Sequence, residues 1–193
     1  MVALRKIPPS MDLAEFQAWD APPHARWQLV DGKPRAMAPA SVLHNIILGT
    51  LGQLINNHLD ARKSPCFAVP TSGVVPRARS RDNYRIPDLA VACSGLDTDE
   101  FALSAPVLLV EILSPSNKAE TWTNIWTYLT IPSVREVLVL HSTAVCAEIL
   151  QRAPDGSWPD RAAIVTEGSL ELESIGFSVG LAALYARTRL AQV

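Results

Sequence analysis

The feature that most constrains the fold of this chain is a seven-residue run, residues 107–113, that is apolar at every position except Glu111. A strand with one solvated face alternates apolar and polar residues, whereas a continuous apolar run is typical of a strand covered on both faces. The run therefore predicts a central strand with helices packed on the sheet. An ionised carboxylate buried there costs several kcal/mol unless it is paired, so the fold must supply a counter-charge for Glu111.

The rest of the chain predicts helices and further strands around this central one. Asp31-Gly32 between two short extended runs is typical of a hairpin, because both residues tolerate positive φ. Ser41 is predicted to cap a helix that reaches about Leu59, and Asn117 with Glu120 resembles a capping box. The predicted helices are 11–19, 42–59, 118–130 and 181–190, and the predicted strands are 27–30, 33–38, 66–69, 73–75, 88–93, 107–113, 136–140, 144–150, 162–166 and 169–173. This order predicts an α/β (α+β) fold, a sheet with helices packed on it, in a single domain over 1–193.

Composition excludes several classes of protein. A chain of 193 residues with 48% hydrophobic residues is too apolar to be disordered. A net charge of −2 provides no global basic field, so any contact with nucleic acid must come from a local patch. We expect no membrane span and no apolar signal core at the N-terminus. Cys66, Cys93 and Cys146 are widely spaced in apolar surroundings, and we interpret them as reduced residues of a cytoplasmic protein.

Two acidic residues on neighbouring predicted strands suggest a chemical site. If the strands at 88–93 and 107–113 pair antiparallel with opposed residue numbers summing to 199, Asp88 faces Glu111, Ala90 faces Leu109 and Ala92 faces Val107. Directly opposed side chains have Cβ atoms roughly 5 Å apart, so two carboxylates there need either a proton or a cation between them. Mg²⁺ prefers such oxygen ligands and supports hydrolysis of phosphodiesters.

A structural ion pair is the alternative at this stage. Glu111 could instead be neutralised by Arg135 or Arg85, and the spacing alone does not separate that interpretation from a metal site.

The sequence around both acidic residues resembles a known nuclease family. Ile86-Pro87-Asp88 and the string Val110-Glu111-Ile112-Leu113-Ser114-Pro115-Ser116 resemble the putative restriction endonuclease family of the PD-(D/E)XK nuclease superfamily. Further segments are similar to that family along residues 10–187. These are the hairpin at 27–32, the helix entry at 37–41 with His44, the segment 128–139, and the C-terminal segments 176–179 and 181–184.

The resemblance implies a restriction-endonuclease-like core, a mixed sheet flanked by helices, that hydrolyses DNA. It implies Asp88 and Glu111 as metal ligands, with the Ile112 carbonyl as a further ligand by analogy, and Mg²⁺ as the ion, with Mn²⁺ as the alternative. His44 becomes a candidate to line the site and to orient water or contact a phosphate. The alternative for His44 is a capped or partly buried helix histidine.

Some positions depart from the family pattern. The superfamily motif has a lysine two residues after the acidic one, on the same face of the strand, and this chain has Leu113 there. Members of the family often carry a lysine on the following helix instead, where this chain offers only Lys118 in the first turn. Gln28 stands where the opening hairpin often carries a glutamate. These departures keep a second hypothesis open, a nuclease fold that binds DNA or protein without hydrolysis, and a weaker third one, hydrolysis of another phosphate ester.

The remaining predictions concern partners. Arg77, Arg79, Arg81 and Arg85 form a cationic segment that leads into Asp88 and could contact DNA phosphates. The alternative is a solvated loop that keeps an edge strand soluble. Trp122 and Trp126 are predicted to be core residues of the helix at 118–130, and a homodimer is expected by analogy with nucleases that cut both strands.

Overall fold

A computed structural model of the chain describes residues 7–93, 101–115 and 117–192. Residues 1–6, where we expect no signal core, and Ser116 of the matched string lie outside the described residues. The helices are α1 (Leu13–Ala18), α2 (Val42–Ala61), α3 (Lys118–Tyr128) and α4 (Leu181–Tyr185). The strands are β1 (Trp27–Val30), β2 (Lys33–Ala36), β3 (Phe67–Pro70), β4 (Leu89–Ala92), β5 (Pro106–Leu113), β6 (Glu136–His141), β7 (Ala147–Gln151), β8 (Ala163–Val165), β9 (Ser169–Leu172) and β10 (Phe177–Gly180).

The predicted central strand lies inside a mixed sheet. Within the described residues this sheet has six strands in the order β3-β4-β5-β6-β7-β8. Strand β5 runs antiparallel to β4 and parallel to β6, and the other neighbours are antiparallel. Two parallel strands need a crossover connection, and α3 provides it between β5 and β6. The predicted fold class, a mixed sheet flanked by helices, is therefore confirmed.

The predicted register of β4 and β5 is correct near the acidic residues. Leu89 pairs with Val110 and Ala90 with Leu109, as the sum of 199 requires. The predicted pairing of Ala92 with Val107 is wrong, because the register shifts after Val91. That irregularity lies at the end of the ladder away from Asp88, so the pairing beside the acidic residues is unaffected.

The apolar run of β5 is buried on both faces of the sheet. Val110 and Ile112 pack in a cluster with α2 and α4. Leu109 and Leu113 pack on the opposite face against α3 and residues of β6. Because side chains alternate along a strand, Glu111 belongs to the face that α3 covers.

The helix α3 differs from its predicted pattern. Trp126 is 49% exposed, so the prediction that it belongs to the core is wrong, whereas Trp122 is partly buried and packs against the core. The buried side of α3 carries Thr121, Asn124, Ile125 and Tyr128, a mostly polar set. A polar buried face indicates that this side of α3 lines a site rather than a purely apolar core.

Two smaller predictions also fail. Asn117 begins α3 without a side-chain cap, because its Oδ1 accepts hydrogen bonds from the backbone N–H and hydroxyl of Ser114. The closing helix ends early, at Tyr185, and strand β10, which the sequence analysis did not predict, pairs with β9.

The interpretation of all three cysteines as reduced is also wrong. Cys66 and Cys93 form a disulfide, and Cys146 is the free cysteine of the described residues. The reason is the pairing of β3 with β4, where Phe67 lies opposite Ala92 and the next pair outward is Cys66 opposite Cys93. Among the described helices, none combines the length and the hydropathy that a bilayer span requires.

Candidate functional site

The two acidic residues predicted to form a site are brought together at one end of the sheet. Asp88 and Glu111 line the same cleft, which has a volume of about 560 Å³. Burial raises the pKa of Glu111 well above its ordinary value, and Asp88 raises it further through its negative charge and through a hydrogen bond. The pair is therefore close enough for one carboxyl group to respond to the charge of the other.

The Asp88 carboxylate is held by two donors from different elements. Its Oδ2 accepts a hydrogen bond of 2.7 Å from the backbone N–H of Ile112 on β5 and one of 2.9 Å from His44 Nε2 on α2. Ser41 fixes the start of α2, because its hydroxyl accepts from the backbone N–H of His44. The strand β5 and the capped start of α2 thus both hold the same oxygen of Asp88.

His44 belongs to the site and carries a perturbed proton affinity. Burial alone lowers the pKa of His44, but the hydrogen bond to Asp88 and its negative charge outweigh burial and raise the pKa above 6.5. His44 also lines the cleft. The prediction that His44 lies at the site is consistent with this geometry, while its role in chemistry stays a prediction.

Glu111 is 7% exposed and accepts a hydrogen bond at Oε1 from the Tyr128 hydroxyl, at 2.7 Å. This bond lowers the pKa of Glu111 and so partly opposes the effects of burial and of Asp88. Within the described residues Glu111 forms no ion pair with Arg85 or Arg135, the two partners considered in the alternative interpretation.

The donor set at this site fits a hard divalent cation. Asp88 and Glu111 face one cleft, whose lining also includes Glu120, and burial together with the charge of Asp88 raises the pKa of Glu111, an effect that a bound cation would oppose. No group of three or more His, Cys, Asp or Glu side chains arranged to hold a metal occurs in the part of the chain that the structure describes. Two carboxylates with water completing the shell is a common arrangement for Mg²⁺, which keeps several of its waters.

Two other predicted residues lie beside this pair. Gln28 lines the cleft and is buried, and its Oε1 accepts from the backbone N–H of Ile86 at 3.1 Å. The N–H and C=O of one strand residue point to the same edge. Because the Ile112 N–H points to Asp88, the Ile112 carbonyl faces that edge as well.

Lys118 is less favourably placed. It is exposed in the first turn of α3 and is not among the residues that line the cleft. Its proposed assistance to catalysis stays a prediction. Leu113, at the position of the motif lysine, is buried in the apolar cluster beneath α3.

The four arginines of the cationic segment do not form one surface. Arg77, Arg79 and Arg81 are exposed, and Arg79 lies 3.3 Å from Asp31 in an ion pair. Arg85 is 2% exposed, so its predicted contact with DNA phosphates is incorrect. The physical reason is that the Arg85 side chain donates hydrogen bonds to Asn124 on α3 and to Asn83, which hold it in the interior.

The helix α3 contributes a polar wall to the cleft that its apolar stripe did not predict. Thr121 and Asn124 line the cleft, and Tyr128 holds Glu111. Their spacing of three and four residues places them on one face of the helix, and polar residues on the side facing a buried strand were the signal that could have revealed them. Arg26, an exposed residue just before β1, also lines the cleft.

Comparison with known proteins places this chain in a family. The model of the Uma2 family, described as putative restriction endonuclease, matches residues 13–183. The chain belongs to this family. A crystal structure of a putative nuclease belonging to DUF820 from Anabaena variabilis has the same fold, with a TM-score of 0.73. It is 16% identical, and the match covers 91% of this chain and 98% of that one. No curated protein is significantly similar in sequence.

Proposed function

We propose that this protein is a Mg²⁺-dependent endonuclease that hydrolyses phosphodiester bonds of DNA. The observation that carries the proposal is the convergence of Asp88 and Glu111 in one cleft, where burial and then the charge of Asp88 raise the pKa of Glu111. Membership of a family described as restriction endonuclease supports DNA as the substrate and a divalent ion as the cofactor. The ion is Mg²⁺ in this proposal, and Mn²⁺ is the practical substitute.

The residues that would hold the ion are Asp88 and Glu111, with the Ile112 carbonyl as a third oxygen. Hydrogen bonds to Asp88 Oδ2 and to Glu111 Oε1 hold both carboxylates at the cleft where the ion would bind. A bound divalent ion would stabilise negative charge on a phosphate oxygen and favour ionisation of water in the cleft.

The neighbouring side chains prepare these carboxylates for that task. The Ile112 N–H and His44 fix the rotation of Asp88, and the Tyr128 hydroxyl fixes Glu111. Ligands held in advance by hydrogen bonds lose little freedom when the ion arrives, which strengthens binding. His44 also presents a protonated ring on the cleft wall over a wider pH range than a free histidine, because Asp88 raises its pKa.

Contacts to the DNA backbone are assigned to exposed arginines. Arg26 lines the cleft that contains the acidic pair, and Arg77 and Arg81 are exposed on the segment that leads toward Asp88. Cations of this kind bind phosphates without regard to sequence. Cleavage of a duplex needs a site for each strand, so we include a homodimer in the proposal, to be tested by sedimentation.

A second candidate function is DNA binding without hydrolysis. Leu113 occupies the motif lysine position and is buried, and Lys118 lies outside the cleft lining. The two functions differ in metal affinity. An inactive module binds DNA with no requirement for a divalent ion, whereas the nuclease binds Mn²⁺ at the acidic pair.

The test combines calorimetry with cleavage assays on supercoiled, linear and single-stranded DNA. Wild type, Asp88→Asn and Glu111→Gln are titrated with Mn²⁺ and assayed for cleavage. Glu148→Gln is the matched control, because Glu148 accepts from His141 at 2.8 Å in the way that Asp88 accepts from His44, but lies outside the cleft lining.

We expect wild type and the control to bind Mn²⁺ and to cut DNA. The two site variants should lose at least about tenfold in Mn²⁺ affinity, since each removes one of two charged ligands. Cleavage that survives in both site variants would exclude this site, and a wild type that binds DNA but no divalent ion would favour the inactive module.

A further inference from the structure

The side chain of Arg85 is a buried cation without a carboxylate partner. It forms no ion pair within the described residues. Its two terminal nitrogens donate to side-chain amides, NH1 to Asn124 Oδ1 at 2.8 Å and NH2 to Asn83 Oδ1 at 2.9 Å, and its Nε is buried without a hydrogen-bond partner. Neutral partners compensate poorly for the cost of burying a charge, so a gain in stability does not explain why the Arg85 guanidinium is buried.

Asn83 holds the guanidinium of Arg85 in a fixed position. Its Oδ1 also accepts from the backbone N–H of Asp31, and its Nδ2 donates to the Asp31 carboxylate and to the Arg79 carbonyl. Asn83 therefore connects the β1–β2 turn with the arginine segment. Because Asn83 is anchored in this way, the Arg85 guanidinium has little freedom to move. Its planar shape then fixes the position of Asn124, which NH1 bonds.

Arg85 determines which way the Asn124 amide points. A guanidinium only donates, so the oxygen of the Asn124 amide must face Arg85. The amide nitrogen with its two N–H groups then lies on the side away from the arginine. Asn124 lines the cleft, whereas Arg85 does not. With its oxygen bound to Arg85, the amide N–H groups are the polar atoms of Asn124 that remain for the cleft.

The position of Asn124 on α3 places it beside the acidic pair. Tyr128 follows four residues later on the same buried face and donates to Glu111 at 2.7 Å. Side chains four residues apart on a helix are neighbours, with Cβ atoms about 5–6 Å apart. Asn124 and Glu111 are therefore both adjacent to Tyr128.

We propose that Asn124 contacts the substrate, donating an amide N–H to a phosphodiester oxygen of the DNA, and that Arg85 is the positioning residue that orients and polarises this amide. This inference rests on the proposed nuclease function. Through Asn124, the positive charge of Arg85 acts on the cleft. The strand β5 has Leu113 at the motif lysine position and supplies no positive charge there. A donor fixed before the reaction stabilises charge that develops on phosphate without having to reorganise.

The principal test is Asn124→Asp. Aspartate keeps the oxygen that Arg85 binds and adds a charge that pairs with it, so the variant should fold with a thermal midpoint at or above that of wild type. It removes both N–H donors. Asn124→Ala removes the donors without adding charge, and Asn57→Asp on the exposed face of α2 is the matched control for the same chemical change.

We expect Asn124→Asp to lose at least about tenfold in kcat for DNA cleavage, since removing one preorganised donor commonly costs about 100-fold or more. Asn124→Ala should show a loss of the same order, with Mn²⁺ affinity within about threefold of wild type, whereas Asn57→Asp should cleave normally. Arg85→Lys keeps the charge but not the planar fork, so kcat should fall about tenfold while Mn²⁺ affinity is retained.

A kcat for Asn124→Asp within threefold of wild type would overturn the proposal, because a purely structural residue tolerates aspartate opposite arginine. Full activity of Arg85→Lys would overturn the positioning role of Arg85. If wild type cuts no DNA, the proposed function fails and this inference fails with it. If wild type and Asn124→Asp both cut DNA, only this inference fails.

Discussion

We predict that the Tyr128 hydroxyl stabilises the fold and lowers the pKa of Glu111. Tyr128→Phe tests this because it removes only the hydroxyl group. The hydroxyl donates to Glu111 Oε1 at 2.7 Å in a fully buried environment. Its removal leaves a buried carboxyl oxygen without its donor. Such a loss costs about 1–3 kcal/mol. For a chain of this size each kcal/mol corresponds to about 2–4 °C in Tm.

Tyr128→Phe should also shift the pH dependence of Mn²⁺ binding in a definite direction. The Tyr128 hydrogen bond lowers the pKa of Glu111, against burial and the charge of Asp88, which raise it. Without the hydroxyl the pKa of Glu111 rises further, so the group stays protonated to higher pH. A metal binds the ionised carboxylate, so the variant should bind Mn²⁺ more weakly than wild type at neutral pH. The increase of Mn²⁺ affinity with pH should occur at a higher pH than in wild type.

The assay is calorimetric titration of Mn²⁺ across a pH series, together with thermal unfolding in the presence of a chelator. Tyr185→Phe is the matched control, because Tyr185 is equally buried and its hydroxyl donates to the carbonyls of His141 and Cys146, outside the cleft. Both variants should lose stability, and only Tyr128→Phe should change the pH dependence of Mn²⁺ binding. An unchanged Mn²⁺ profile in Tyr128→Phe would refute the reasoning.

Two further predictions concern the scaffold. Gly73→Ala places a Cβ in steric overlap with the ring of Tyr84, so urea unfolding should show a loss of about 1–3 kcal/mol. Gly49→Ala in α2 has nothing within 4 Å and should instead stabilise by up to about 1 kcal/mol; equal stability of the two variants would contradict the packing described. The Cys66–Cys93 disulfide closes a loop across a separation of 27 residues, so its reduction should cost about 2–4 kcal/mol. Thiol titration of the denatured, unreduced protein should find one free thiol, and three would disprove the bond.

The parts of the fold that sequence predicts well rest on local signals. Asp31 and Gly32 adopt the positive φ values, 50° and 77°, that an Asp-Gly hairpin turn requires. Ser41 caps α2 as its position before the helix indicates. Glu111 stands out in the sequence because a carboxylate inside an apolar run is costly to bury unless the fold compensates its charge.

The parts that could not be predicted depend on contacts between distant segments. The burial of Arg85 is set by its bonds to Asn124, 39 residues away, and to the anchored Asn83. The disulfide depends on the pairing of two strands 27 residues apart at their outer ends. The tryptophans of α3 predict one inward face, whereas the residues that the fold buries are mostly polar and lie on the neighbouring face.

The most direct test of the metal centre is anomalous diffraction from a crystal soaked in Mn²⁺. The account predicts an anomalous peak between the carboxylates of Asp88 and Glu111, with Mn–O distances of about 2.0–2.6 Å, the range of hard divalent cations. A crystal that binds Mn²⁺ elsewhere, or leaves Glu111 bonded only to Tyr128 and Asp88 at millimolar Mn²⁺ and neutral pH, would contradict it.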